Sequence, residues 1–209
     1  MTATELGALL TLATATSFTP GPNTTLSTAL AANFGIRRAM PFVCSVPVGW
    51  TLLLTLCAAG AGAVIMAAPL LRGAIVAGGC GYLLWLAWRL AGSQSLSNAH
   101  PASLQVTFFR GVGLQFLNIK AWMLALSIVA GWIAGHPDAM QRYGLVVPVM
   151  VFFAFASNLA YAWMGAALRG WLSGPVIHGQ PSQRRLCWFN RCMAVALIFT
   201  AFWLLATGL

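Results

Sequence analysis

The chain has 209 residues, of which 60% are hydrophobic and only 6% charged, against about a quarter charged in a soluble domain. Two acidic residues, Glu5 and Asp138, beside 9 Trp and 12 Phe exclude a water-facing globular surface, so the composition reads as an integral membrane protein of one domain, residues 1–209. The net charge of +9 is scattered between apolar runs, which excludes a basic block for nucleic acid and leaves topology and anionic lipid headgroups as its use.

A helical span needs about 20 apolar residues, and uninterrupted apolar runs favour helices over the alternating strands of a barrel. Six spans are predicted. The first covers residues 6–34 and is interrupted at 20–23. No Lys or Arg precedes it, so it is read as part of the mature protein and not as a signal peptide. The second runs from 41 to 66, and the third, after the breaker Pro69, from 70 to 91. A polar connector rich in Ser, Asn, His and Pro leads to the fourth, 111–134. The fifth covers 145–168 and the sixth 188–205, with a second polar connector at 173–185 between them.

The interruption in the first span is SFTPGPN, residues 17–23. Proline removes a backbone donor and clashes with the preceding turn, so the first half-helix ends near Phe18. Proline also suits the first position of a new helix, with Thr19 or Asn23 as its cap. The second half-helix then presents free N–H groups and its positive dipole end inside the bilayer. Such groups must face protein or a water-filled cavity, and together they make a receptor for a carboxylate. Thr19, Pro20, Gly21, Pro22, Asn23 and Thr24 are the candidate residues here.

The fourth span carries Asn118 and Lys120 about ten residues from its start, near the midplane. A lysine at that depth costs about 2.5–3.5 kcal/mol on insertion scales and needs a partner or a cavity; the plainer reading is a lysine snorkelling from a helix end. Asn158 sits in the middle of the fifth span, where a lone Asn more often bonds a neighbouring helix than a substrate. The small-residue run 58–63 and the pairs Ala74/Gly78 and Ala77/Gly81 suit close helix packing or dimerisation. Trp85, Trp88, Trp163, Trp171 and Trp188 are placed as interfacial anchors.

Six spans put Arg37, Arg38, Arg89, Arg110, Arg169, Arg184, Arg185 and Arg191 on one side and Arg72 and Arg142 on the other, with both acids on the poorer side. That bias sets the rich side in the cytoplasm and both termini outside. Six spans also divide into two sets of three that enter the membrane in opposite senses, residues 1–92 and 108–209, which is the arithmetic of an inverted repeat. The fold class is therefore an all-α membrane protein of six transmembrane helices in two inverted three-helix repeats. Cys44, Cys57, Cys80, Cys187 and Cys192 have no CxxC spacing and read as buried reduced thiols, and His100, His136 and His178 are scattered loop residues with no metal constellation and no triad.

FTPGPN in the first span, GYLLWLAWRL ending the third and FFRGVGLQFLNIKAW opening the fourth resemble the LysE/RhtB family of amino-acid exporters, over essentially the whole chain. Where that family usually has Asn-Pro-Lys, this chain has Asn118-Ile119-Lys120, which removes the enforced break from the fourth span and is similar to the cysteine/O-acetylserine exporter branch. The resemblance implies export of small neutral amino acids or derivatives across the bacterial cytoplasmic membrane, driven by protons, with no cofactor and with a homodimer as a common state. Some relatives have an acid in the fifth span; this chain has Asn158, so proton coupling would run through Lys120, a water chain or the substrate amine. The rival reading is an intramembrane thiol redox carrier, which needs one cysteine per half at matching positions; Cys44 and Cys80 both fall in the first half.

Overall fold

The structure, a computed structural model, describes residues 1–92, 106–177, 180–182 and 184–208. The connector from 93 to 105, with His100, and His178 in the second connector lie outside the described residues.

Helix α1 (Ala3–Phe18) starts on a reciprocal cap: the Glu5 N–H donates to Thr2 Oγ1 at 3.2 Å and the Thr2 N–H to Glu5 Oε2 at 2.6 Å. Its threonines suit lipid because their hydroxyls turn back on the helix, Thr11, Thr14 and Thr16 each donating to the carbonyl four residues earlier. The helix stops at Phe18, and α2 (Pro22–Phe34) restarts with Pro22 in its first turn, as the prolines require. One residue, Gly35 at φ 83°, separates α2 from α3 (Ile36–Ala58). The second span was expected to reach residue 66; it ends at Ala58 because Gly60 takes the left-handed region at φ 87°, and the short α4 (Ala61–Ala67) follows. Helix α5 (Pro69–Ala91) begins with proline in its first turn.

The fourth span differs from its expectation. It is broken without a proline, into α6 (Phe108–Phe116) and α7 (Ile119–Ile128), the latter continued by a π-helical turn Val129–Ile133. The two parts are bent by 68°. Helix α8 (Ala139–Leu172) has 34 residues, about 51 Å at the usual rise, and so overshoots a hydrocarbon layer of about 30 Å at its ends. A two-residue antiparallel pair, β1 (Val176–Ile177) with β2 (Gln180–Pro181), precedes α9 (Arg184–Gly208). Among the described residues four helices, α3, α5, α8 and α9, are each long and apolar enough to cross a membrane, and the bent α6–α7 pair, counted as one span, makes a fifth. Helices α1 and α2, of 16 and 13 residues, are each too short to cross alone.

Helix α2 occupies the centre. Thr24 through Asn33 are all buried, although eight of these ten are polar or alanine, and polar bonds fix the helix to three others. Asn23 pairs with Gln115 of α6, Ser27 donates to Asn158 of α8 at 2.9 Å, and Asn33 and Asn190 of α9 exchange amide bonds at 2.8 and 3.0 Å. Helix α8 approaches because Gly165 has no side chain to strike the Thr28 backbone. Elsewhere α3 packs on α6 and α8, and α5 on α9. The small residues expected to pack on α5 lie on its exposed face; the buried one is their neighbour Gly79, seated on the Leu117 carbonyl where α6 ends. All five tryptophans placed as anchors are exposed, from Trp85 at 42% to Trp88 at 74%.

Candidate functional site

The two breaks lie side by side. Asn23, one residue into α2, donates through Nδ2 to Gln115 Oε1 at 2.8 Å, and Gln115 Nε2 returns a bond to Asn23 Oδ1 at 3.3 Å. Gln115 is wholly buried in the last turn of α6 and also donates to the Gly111 carbonyl at 3.2 Å. A broken helix leaves carbonyls at one end and N–H groups at the other. The carbonyl ends are provided for: Tyr161 donates its hydroxyl to Phe18 O at 2.9 Å, and Trp122 its indole N–H to Phe116 O at 2.9 Å. The N–H ends are not. Pro22 has no N–H, the Gly21 N–H goes to Thr24 Oγ1 at 2.9 Å, and the backbone N–H groups of Asn23, Thr24, Ile119 and Lys120 have no partner among the described residues.

Between the breaks opens a cavity that, counting the part open to the outside, holds about 580 Å³ of empty space. Of the sequence-predicted residues, Thr19, Gly21, Pro22, Asn23, Thr24, Asn118, Lys120 and Asn158 line it; Pro20 is exposed and does not. The side chains differ in what they have left to offer. Asn23 is committed to Gln115. Asn158 accepts from Ser27 and donates to the Ala154 carbonyl at 2.9 Å, so it bolts α8 to α2. Asn118 caps α7, and its buried Oδ1 has no partner. The Lys120 ammonium sits over the start of α2, where a Cβ built on Gly21 would lie 3.7 Å away, and it makes no ion pair or hydrogen bond among the described residues.

The chain has no carboxylate side chain to give it. Both acids are at the far end of α1 and α8. Arg142 donates to Asp138 Oδ1 at 2.8 Å and to Glu5 Oε1 at 3.1 Å, and the N-terminal ammonium stands 3.9 Å from Asp138 Oδ2. The guanidinium hydrogen bond is the main reason the Asp138 carboxyl is held below its ordinary range. The expectation that Glu5 and Asp138 share one side thus corresponds to a single cluster.

Sequence reasoning passed over Trp50 of α3 and Met150 of α8, which form much of the apolar wall with Val46 and Leu124, and over Gln115 and Tyr161, which hold the breaks together. Gln115 carried a signal: an amide within an apolar run, three residues before Asn118. A second, mostly apolar cavity of about 380 Å³ lies beyond Pro22, Asn23 and Asn118, which line both. All five cysteines are free thiols and none lines the first cavity. No group of His, Cys, Asp and Glu among the described residues could hold a metal ion.

The sequence matches the family described as LysE type translocator over residues 14–208. Among its relatives are proteins named cysteine/O-acetylserine efflux protein. That of Klebsiella pneumoniae is 31% identical over 169 residues, covering 79% of this chain and 84% of the relative. Those of Salmonella typhimurium and Escherichia coli are 28% and 25% identical, each over 79% of this chain and 84% of the relative. No solved structure matches the chain.

Proposed function

The chain belongs to the LysE type translocators, and from that premise we propose that it exports a small neutral amino acid or derivative, cysteine-like or O-acetylserine-like, across the bacterial cytoplasmic membrane. The observation that carries this reading is the Lys120 ammonium, unpaired among the described residues, beside the N-terminal start of α2, in a cavity of a chain whose two acids are both held by Arg142. Two positive elements, an ammonium and a helix N-terminus, converge where no protein anion is at hand. The substrate carboxylate fills that place, with the Asn23 and Thr24 N–H groups donating to it. Asn118 Oδ1 faces the substrate ammonium, and Trp50 and Met150 border its side chain.

The proposed mechanism is alternating access by two inverted halves, with α1–α2 counted as one interrupted span to give six and both termini outside. The packing supports the repeat. Exchanging the halves maps α1–α2 onto α6–α7, α3 onto α8, and α5 onto α9. The contacts of α1 and α2 with α8 then map onto those of α6 and α7 with α3, and the α5–α9 contact onto itself. Protons drive the cycle; with no carboxylate side chain in the cavity, Lys120, a water chain or the substrate amine is left to carry them.

The test is efflux of cysteine or O-acetylserine from loaded cells expressing Asn118→Ala or Lys120→Ala. Export should be lost while the amount of protein in the membrane stays normal, and a protonophore should stop export by the unaltered chain. Normal export by both variants removes the site.

A further inference from the structure

Several donors on the cavity wall are without partners. At the broken ends the carbonyls of Phe18 and Phe116 are taken by Tyr161 and Trp122, whereas the N–H groups of Asn23, Thr24 and Lys120 on the cavity wall are free among the described residues. Lys120 adds a charged donor. The Trp50 indole N–H, also on the wall, has no partner among the described residues either. Among the buried side-chain atoms of the described residues one acceptor is left without a partner, Asn118 Oδ1; the Asn158 oxygen is engaged by Ser27.

The charge balance runs the same way. The cavity contributes one cation and no anion. A zwitterion leaves the occupied site at one net positive charge, with its ammonium held by a neutral amide oxygen. A carboxylate without an ammonium brings the site to neutrality. A dibasic amino acid raises it to two positive charges with no side-chain anion on the wall to compensate them.

We propose that this site recognises the carboxylate and does not require the ammonium, so that its ligands include small organic monocarboxylates lacking an amine as well as neutral amino acids, and exclude carboxyl esters and dibasic amino acids. The inference rests on the cavity of the proposed function but goes beyond it, because that reading is satisfied by amino acids alone.

The experiment is thermal unfolding of the purified full-length protein, followed by tryptophan fluorescence under reducing conditions. The probes are L-cysteine, its deaminated counterpart 3-mercaptopropionate, L-cysteine methyl ester and L-lysine, since a ligand that binds the folded state raises its stability. Cysteine and 3-mercaptopropionate should each raise the unfolding temperature by several degrees at saturating concentration, and the ester and lysine should not. Lys120→Met should lose both shifts and Lys120→Arg should retain them. A shift with cysteine but none with 3-mercaptopropionate, or an ester or lysine shift equal to that of cysteine, overturns this proposal and leaves the amino-acid site standing. No shift with any probe, or shifts unchanged in Lys120→Met, overturns the site itself. The wild-type comparison decides the matter even where the Lys120→Met protein is not recovered folded.

Discussion

The Asn23–Gln115 pair should behave as a bolt between the two broken helices, with an energy that a double-mutant cycle can read. Asn23→Leu removes both amide bonds and leaves Gln115, wholly buried, with only the Gly111 carbonyl as partner. Its Oε1 is then orphaned away from water, which costs about 2–3 kcal/mol. Gln115→Leu strands the Asn23 amide instead. Asn23 borders both cavities, so water can reach it, and the cost falls to about 1 kcal/mol. In the double variant no amide remains to be stranded. Hydrogen bonds between membrane helices are worth about 0.6 kcal/mol on average and up to about 1.7; one bond at 2.8 Å and a longer one at 3.3 Å give a coupling of about 1 kcal/mol. The assay is unfolding of the four detergent-solubilised proteins by a denaturing surfactant, followed by tryptophan fluorescence. Additivity of the single variants within about 0.3 kcal/mol, or a greater loss in Gln115→Leu than in Asn23→Leu, refutes the bolt.

Gly79→Ala should destabilise by about 1–3 kcal/mol, because its methyl group would strike the Leu117 carbonyl and lever α5 off the break, whereas Gly81→Ala, facing open space, should be neutral or slightly stabilising; equal effects in thermal unfolding would contradict this packing. Replacing all five cysteines by alanine should leave export and the ligand-induced thermal shift in place, since none of the thiols lines the cavity. Loss of export by a folded cysteine-free protein would restore the redox reading.

The first break was legible because proline writes backbone geometry directly into the sequence: PGPN ends one helix and starts the next whatever surrounds it. The second break was not, because nothing local enforces it. It is held by tertiary partners: Gln115 bonded across to Asn23, the Trp122 indole on the Phe116 carbonyl, and Gly79 giving α5 room beside Leu117. Composition marked Lys120 and Asn118 as candidates, since polar groups in an apolar run are visible by contrast, and both line the cavity. It could not divide the asparagines into those spent on neighbours and the one left open. Asn158 and Asn23 differ from Asn118 only in what lies opposite them, Ser27 and Gln115, and both partners come from distant parts of the chain. Gly60 in the left-handed region explains the early end of α3, a backbone event with no trace in hydropathy.

On the proposed alternating access, the polar ties between residues 1–92 and 108–208 fall into three groups along the helices. One end has Arg142 on Glu5, the Trp132 indole on the Glu5 carbonyl, and Tyr143 with Thr55. The other has the Asn33–Asn190 amide pair. The middle has Asn23–Gln115, Ser27–Asn158, Tyr161 on the Phe18 carbonyl and the Cys80 thiol on the Ala201 carbonyl. Rocking one half against the other about the middle group stretches the ties at one end while leaving those at the opposite end closed. Each end therefore needs bonds that are worth little enough to break in turn. Amide hydrogen bonds between helices meet that condition, with net values of about 1 kcal/mol, and a continuous leucine seam across either end would not. The concentration of the chain's only two acids on one arginine, far from the cavity, then serves the cycle twice. It supplies a breakable tie at the end where the termini lie, and it keeps every carboxylate side chain away from Lys120, so that the site stays open to the carboxylate of its cargo.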